Sequence, residues 1–92
     1  MIKSFRDKEA QKLFLYGRSK SPEDVQRVTL RKLEQLNAAK HVADLAAFPG
    51  NRPEPLKGKR LGQHSIRIND QWRICFVWKD GHVYDVEICD YH

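Results

Sequence analysis

The spacing of apolar residues changes along the chain from a helical period to a strand period. Between Asp7 and Gly17 the spacing is helical, which predicts a short helix with Asp7 as its N-cap and Gly17 at its end. The preceding segment, Ile2 to Phe5, alternates and fits a short strand. A further short helix is predicted from Val42 to Phe48, where Pro49-Gly50 ends the pattern.

The longest predicted helix begins at a strong start signal. Ser21 suits the N-cap, Pro22 loses nothing at the first helical position, and the two acids that follow favour the positive end of the helix dipole. We expect this helix to extend to about Ala39. Its core-facing stripe is predicted to be Val25, Val28, Leu33 and Leu36. Arg27 and Arg31 lie largely off the stripe and either touch a partner or form a solvated face.

Three strands with alternating apolar residues are predicted after residue 63. Their core-facing residues are expected to be His64, Ile66 and Ile68, then Trp72, Ile74, Phe76 and Trp78, then His82, Tyr84, Val86 and Ile88. For these faces to coincide, residues that lie opposite one another must both be even-numbered, so Ile68 pairs with Trp72 across the first turn. The same rule pairs Trp78 with His82 across the second turn, which ends at Gly81 in a left-handed conformation. The even-numbered face then packs under the helices.

The odd-numbered face of this sheet carries polar and charged residues. In the predicted register Arg67 lies opposite Arg73, and Arg73 lies opposite Glu87, with the Arg73 side chain on the open face. Two guanidinium groups directly across a ladder repel each other unless a negative group lies between them. That group is either Glu87, in a cross-strand ion pair, or a bound RNA phosphate.

Composition limits the size and the environment of the protein. Ninety-two residues with 40% hydrophobic content predict one domain, residues 1–92, with a modest core. A net charge of +5 favours binding to a polyanionic partner such as nucleic acid, a ribosome or an acidic protein. A basic domain without such a partner fits the charge equally well. No apolar run predicts a membrane span or a signal peptide, so we expect a cytoplasmic protein with reduced cysteines and no membrane partner.

Metal binding and thiol chemistry have weak support in the sequence. Cys89 and His92 form one close pair near His64 and His82 in sequence, but no second pair completes a tetrahedral set. Neither Cys75 nor Cys89 has an identifiable activating partner, and a cysteine on a strand is usually a small apolar filler. We therefore predict no metal and no cofactor.

Metal-free RNA cleavage fits the residues that follow the last strand better. Attack by a ribose 2′-hydroxyl on the adjacent phosphate needs a base, an acid and cations that stabilise the phosphorane. The run Asp90-Tyr91-His92 supplies the first two types, and Lys57, Arg67 and Arg73 supply the third. The plain alternative is a strand that simply ends in polar residues.

Four blocks of the chain resemble the HigB family of bacterial toxins, in the wider RelE and ParE superfamily. They are Met1-Ile-Lys-Ser-Phe5, Pro55-Leu-Lys-Gly58, the segment from Gly62 to Trp78 (Gly-Gln-His-Ser-Ile-Arg-Ile-Asn-Asp-Gln-Trp-Arg-Ile-Cys-Phe-Val-Trp), and Val86-Glu-Ile-Cys-Asp-Tyr-His92. The blocks occur in the family's order and spacing along the whole chain, and their combination is specific although no single block is.

The resemblance implies a fold, an activity and partners. The fold would be α+β, a small domain with an antiparallel-rich, curved, RelE-like sheet and N-terminal helices on one face. The activity would be that of a ribosome-dependent endoribonuclease that cuts mRNA in the decoding site of the 70S ribosome. The partner would be a HigA-type helix-turn-helix antitoxin, and operator DNA would be bound only through that antitoxin.

The resemblance also implies site residues by position. Lys57 and Arg73 resemble the family's phosphate-binding cations, and Asp90-Tyr91-His92 resembles its active-site ending. Some relatives have a histidine where this chain has Glu54. Glu54 either acts as general base or forms a salt bridge with Arg52 or Lys57, so the acid and base roles of Glu54, Asp90 and His92 stay open.

The basic loop at residues 51–63 and the strand after it supply the expected RNA-binding residues, namely Arg52, Lys59, Arg60 and Arg67. Two rival functions are a ParE-like toxin that binds DNA gyrase without nuclease activity and a basic RNA-binding module without catalysis. A pure binding protein has no need of an acid, a phenol and an imidazole together, which favours the nuclease.

Replacing His92 by glutamine tests whether the imidazole transfers a proton. Glutamine keeps a hydrogen-bonding group but takes up no proton near neutral pH, so His92→Gln should lower mRNA cleavage on translating ribosomes by about a hundred-fold to ten-thousand-fold. Thermal melting of the variant provides the control for folding. Full cleavage by a folded His92→Gln protein would assign proton transfer to Asp90 or Glu54.

Overall fold

A computed structural model describes residues 1–90, in which two α-helices are followed by an antiparallel sheet. The helices are α1 (Lys8–Tyr16) and α2 (Glu23–Ala38), and 3-10 helices span Val42–Ala47 and Gly58–Arg60. The strands are β1 (Glu54–Pro55), β2 (Gln63–Arg67), β3 (Trp72–Lys79) and β4 (His82–Asp90), in the order β1-β2-β3-β4. The predicted α+β class is confirmed.

Asp7 caps α1 as predicted and also ties the helix to the sheet. One carboxylate oxygen, Oδ1, accepts from the backbone N–H of Glu9 at 2.9 Å, and Oδ2 accepts from the backbone N–H of Ile88 in β4 at 3.2 Å. Gly17 ends the helix with φ of +78°, and its N–H donates to the carbonyl of Leu13 at 2.8 Å. Both ends of α1 are therefore set by the residues that the sequence indicated.

The second helix begins one residue later than predicted. Pro22 occupies the cap position and no side chain caps the helix, so the assignment of Ser21 as N-cap is wrong. The carboxamide of Gln26 organises the turn instead, because its Nε2 donates to the carbonyls of Ser19 and Ser21 while its Oε1 accepts from the Ser19 N–H. The helix ends at Ala38, close to the predicted end.

The segment before α1 lies beside β4 and runs parallel to it. Ile2 forms an isolated bridge with Val83, and Phe5 forms another with Val86. The backbone N–H of Lys3 donates to the carbonyl of Val83 at 2.7 Å. The predicted short strand is thus an extended segment that pairs at two points and extends the sheet beyond β4.

The turn between β3 and β4 is shorter than predicted. Lys79 pairs with His82, which leaves only Asp80 and Gly81 in the connection. These two residues have φ of +53° and +79°, as a two-residue turn of the type that matches the twist of the strands requires. The left-handed conformation of Gly81 is confirmed, and the pairing of Trp78 with His82 is wrong.

The two-residue turn places odd-numbered residues of β4 on the core side, and a β-bulge returns the even-numbered residues to that side. The register between β3 and β4 shifts between Cys75 and Val77, and Asp85 in β4 has φ of +53°. Val83, opposite Trp78, faces the core before the shift.

The prediction of an even-numbered core face is confirmed for β2 and β3 and wrong for the first half of β4. There Val83 is fully buried, whereas His82 and Tyr84 are only half-buried. Beyond the bulge Val86 is fully buried, as predicted.

The core lies between the helices and this face of the sheet. Its fully buried members are Leu13, Leu33, Leu36 and Leu45 from the helices and Ile66, Ile74, Phe76, Val83 and Val86 from the sheet. Packing of both helices on one face leaves the opposite face to the loop of residues 51–62. Within residues 1–90, no helix is both long and apolar enough to cross a membrane.

Removal of the Asp7 side chain should destabilise the protein by about 1–2 kcal/mol, because the helix loses its cap and β4 loses an acceptor. Asp7→Asn keeps the Oδ1 acceptor but replaces Oδ2 with a donor, so we expect a smaller loss. Urea unfolding of Asp7→Ala, Asp7→Asn and the control Asp24→Ala, an exposed acid in the first turn of α2, measures the three effects. An unfolding midpoint of Asp7→Ala equal to that of the control would contradict the dual role.

Candidate active site

Two adjoining cavities lie on the odd-numbered face of the sheet. The first, about 260 Å³, is lined by Arg52, Glu54, Arg67, Asn69, Asp70 and Arg73. The second, about 340 Å³, is lined by Glu54, Leu56, Arg60, Ser65, Arg73, Cys75, Cys89 and Asp90. Glu54 and Arg73 belong to both. A larger cavity of about 680 Å³ beside the end of α1 contains none of the predicted site residues.

Arg73 is buried between the two cavities, with an exposed fraction of only 5%. Its Nε donates to the hydroxyl of Ser65 at 2.7 Å, and its Nη2 donates to the carbonyl of Arg52 at 2.6 Å and to that of Ser65 at 3.3 Å. The expectation of an open side chain is therefore wrong. The loop around residue 52 covers the strand, and its carbonyl helps to replace the water that a buried guanidinium loses.

Arg67 and Arg73 lie directly opposite each other, as predicted. Their charged groups have separate partners, because the Arg67 guanidinium pairs with Asp70 in the turn after β2. Two neighbouring guanidinium groups are thus held on one wall of the first cavity, and both contribute positive charge to it.

Glu87 does not lie opposite Arg73, because the two-residue turn and the bulge each shift the register by one residue and together place Cys89 there. Glu87 pairs instead with Arg60, whose Nη1 lies 2.5 Å from its Oε1. This hydrogen bond is the main reason that the pKa of the Arg60 guanidinium is raised. The predicted Arg73–Glu87 pair is therefore wrong. Arg60, which lines the second cavity, links the loop to β4 through its ion pair with Glu87.

The two acidic residues predicted for proton transfer line a common cavity. Glu54 lies in β1 opposite Ser65, and Asp90 ends β4. Among the ion pairs of residues 1–90, Glu54 takes part in none, so the predicted alternative of a salt bridge with Arg52 or Lys57 is not formed.

The other predicted residues occupy the surrounding loop or lie beyond the description. Arg52 lines the first cavity, and Lys57 and Lys59 are exposed on the loop without lining either one. Tyr91 and His92, the remaining predicted catalytic residues, lie outside the described residues 1–90.

Cys75 and Cys89 are free thiols on the floor of the second cavity. A hydrogen bond with Cys89 lowers the pKa of Cys75, and the same contact raises the pKa of the Cys89 thiol. Each cysteine therefore has a partner that the sequence did not indicate. No group of three or more His, Cys, Asp or Glu side chains within residues 1–90 could hold a metal ion.

Ser65 and Asn51 hold the site together and were not predicted. Ser65 is fully buried, and its hydroxyl accepts a hydrogen bond from the Arg73 guanidinium. Asn51 is buried beneath the loop that carries Arg52 and Glu54. The only sequence signal for Ser65 was its place on the same strand face as Arg67 and Arg73, because a small hydroxyl among arginines can serve as an acceptor. No local signal marks Asn51, whose partners lie on other elements.

The fold is that of the RelE-like toxins. The chain superposes on the YoeB–YefM complex from Staphylococcus aureus with a TM-score of 0.63, covering 100% of this chain and 98% of that chain at 20% identity. Its TM-score with YafQ from E. coli is 0.58, covering 98% and 93% at 12% identity.

The family follows from the sequence comparisons. The family model of the RelE-like toxin HigB of type II toxin–antitoxin systems matches residues 3–92, and the chain belongs to this family. It is 36% identical to "Endoribonuclease HigB" of Proteus vulgaris over an alignment of 98 positions that covers 100% of both chains. It is 47% identical to "Toxin HigB-1" of Vibrio cholerae over 60 residues, which are 65% of this chain. The match spans 63% of that relative, less than two thirds of its length.

Burial of Arg73 changes the expected cost of its removal. Arg73→Ala leaves the Ser65 hydroxyl and the Arg52 carbonyl without a buried donor, so it should destabilise the protein by about 1–3 kcal/mol. The matched control is Arg67→Ala, which removes a guanidinium from the opposite position but breaks only an exposed ion pair and should change stability little. Denaturant unfolding compares the two variants. Equal stability losses would show that the buried hydrogen bonds of Arg73 contribute no more than the surface pair.

Proposed function

We propose that this toxin is a ribosome-dependent endoribonuclease that cuts mRNA by metal-independent attack of a ribose 2′-hydroxyl. The observation that carries the proposal is the cavity in which Glu54 and Asp90 lie with the buried cation Arg73. A base, an acid and a fixed cation are the groups that this reaction needs. The similarity to a relative named as an endoribonuclease over the whole chain supports the same conclusion.

The reaction balances without a cofactor. A base removes the proton of the 2′-hydroxyl, the 2′-oxygen attacks the adjacent phosphorus, and the bond from phosphorus to the 5′-oxygen breaks. An acid donates a proton to the departing oxygen, which leaves a 2′,3′-cyclic phosphate on one product and a 5′-hydroxyl on the other.

Each side chain has a role that fits its place. Arg73 is held by Ser65 and the Arg52 carbonyl before substrate arrives, so its positive charge can stabilise the phosphorane without rearrangement. Proton transfer falls to Glu54, Asp90 and His92, with Glu54 as the candidate base because it forms no ion pair among residues 1–90. Tyr91 is proposed to complete the site beside Asp90.

The ribosome is proposed to supply the positioning that the toxin lacks. The two cavities together are small, and the exposed cations Arg52, Lys57 and Lys59 lie on a loop around them. Such cations attract RNA of any sequence through an interaction that weakens steeply with salt. A message held in the decoding site of the 70S ribosome would already present its phosphate to the cavity.

We also propose a cytoplasmic location and a HigA-type helix-turn-helix antitoxin. A YoeB relative of the same fold was solved in complex with the antitoxin YefM, which supports an antitoxin partner for this chain. Operator DNA would be bound through the antitoxin, since the toxin's own cations are assigned to RNA.

Cleavage by purified toxin should be tested on translating ribosomes and on the same mRNA alone at physiological salt. We expect new RNA ends with 2′,3′-cyclic phosphates on ribosomes and much slower cleavage of free mRNA. Glu54→Gln should reduce cleavage by about a hundred-fold or more if Glu54 is the base.

The contrary outcomes are distinct. Inhibition of gyrase without new RNA ends would identify a ParE-like toxin, and ribosome binding without cleavage would identify a non-catalytic RNA-binding protein. Rapid cleavage of free mRNA would contradict ribosome dependence alone.

A further inference from the structure

A lysine is buried in α2, beneath the candidate active site. Lys32 has an exposed fraction of 3%, and its Nζ donates to Oδ1 of Asn51 at 2.7 Å. It belongs to none of the ion pairs formed within residues 1–90. Burial of a charge against a neutral amide costs free energy, and an apolar residue at this core position would avoid that cost. Packing alone therefore does not explain why a lysine occupies this buried position.

The partner of Lys32 is itself fixed from several directions. Asn51 has an exposed fraction of 1%, and its Nδ2 donates to Oε1 of Gln35 and to the carbonyl of Leu45, each at 3.1 Å. Its backbone carbonyl accepts from the N–H of Arg67 in β2 at 2.6 Å. Asn51 thus joins α2, the 3-10 helix after it and the sheet at one point, and Lys32 satisfies its remaining side-chain acceptor.

This junction sets the position of the next residue, which holds Arg73. Arg52 has φ of +41°, a left-handed conformation that residues other than glycine rarely adopt, and it persists only where neighbours enforce it. In that conformation its carbonyl accepts from Nη2 of Arg73 at 2.6 Å. The contacts therefore run without a break from Lys32 through Asn51 and Arg52 to Arg73.

The charge of Lys32 also acts on the site. Burial lowers the pKa of the Lys32 ammonium, and the positive charges of Arg31, Arg67 and Arg73 lower it further. These groups face Lys32 from its own helix and from β2 and β3. The same repulsion makes a bound anion favourable, because a phosphate beside Arg67 and Arg73 would offset positive charge on both sides of the loop.

We propose that Lys32 is a positioning residue of the phosphate site: through Asn51 and the Arg52 carbonyl it orients Arg73, and its buried charge strengthens anion binding. The assignment of the anion as an RNA phosphate rests on the nuclease function proposed above. The attraction for an anion does not depend on cleavage, so the two proposals can fail separately.

Two substitutions separate the orienting contact from the charge. Lys32→Met keeps the length of the side chain without its charge or its donor. Lys32→Gln removes the charge but keeps a donor for the Asn51 oxygen. The control Lys40→Met removes one exposed charge two residues beyond the end of α2.

Binding of inorganic phosphate should be measured by NMR titration, with the backbone amides of Ser65 and Arg73 as reporters. We expect Lys32→Met to weaken phosphate binding on the order of three- to ten-fold and Lys40→Met to change it less than two-fold. Cleavage on ribosomes should fall roughly ten- to a hundred-fold in Lys32→Met, and less in Lys32→Gln. The melting temperature of Lys32→Met should fall less than that of Arg73→Ala, because relief from burying a charge offsets the Asn51 oxygen that is left without its donor.

Each other outcome has a defined meaning. Unchanged phosphate binding in a folded Lys32→Met protein, or no phosphate binding by the wild type at this site, would overturn the proposal. Failure of both Lys32 variants to fold would also overturn it, because Lys32 would then serve stability alone. Phosphate binding that depends on Lys32 in a protein that cuts no RNA would support the anion site and reject the nuclease function.

Discussion

The need to satisfy a buried guanidinium organises the functional face of this protein. Arg73 loses almost all of its water, so its donors require acceptors on the protein. Ser65 provides two of them from the neighbouring strand, and the loop provides the Arg52 carbonyl. The β2–β3 register and the path of the loop are both needed for these bonds. The cation is consequently in place before any substrate binds.

The hairpin between β3 and β4 shows how a local turn affects a distant site. The two-residue turn at Asp80 and Gly81 would by itself reverse the faces of β4, and the bulge at Asp85 reverses them again. The second half of the strand then buries Val86 and places Cys89, opposite Arg73, on the face that carries the cavity. A turn and a bulge together therefore determine which residues of β4 lie on the side of the site.

One face of the sheet forms the hydrophobic core, and the other carries the candidate active site. One face packs apolar residues against α1 and α2, whereas the other carries arginines, carboxylates and thiols under a basic loop. Asn51 connects the two sides, because it bonds to Lys32 and Gln35 of α2 and to the backbone of Arg67. The helix layer can thereby influence the site without contacting substrate.

The sequence by itself determined the features that depend on near neighbours. The Asp7 cap, the Gly17 ending, the alternation in β2 and β3 and the Arg67–Arg73 register all follow from local spacing, since a cap acts within one turn and a strand alternates by residue. Only the tertiary structure decided which polar groups meet. Arg73 finds its carbonyl 21 residues away and Arg60 finds Glu87 27 residues away. Such partners depend on the loop path and on a bulge, because a shift of one residue moves every later side chain to the other face.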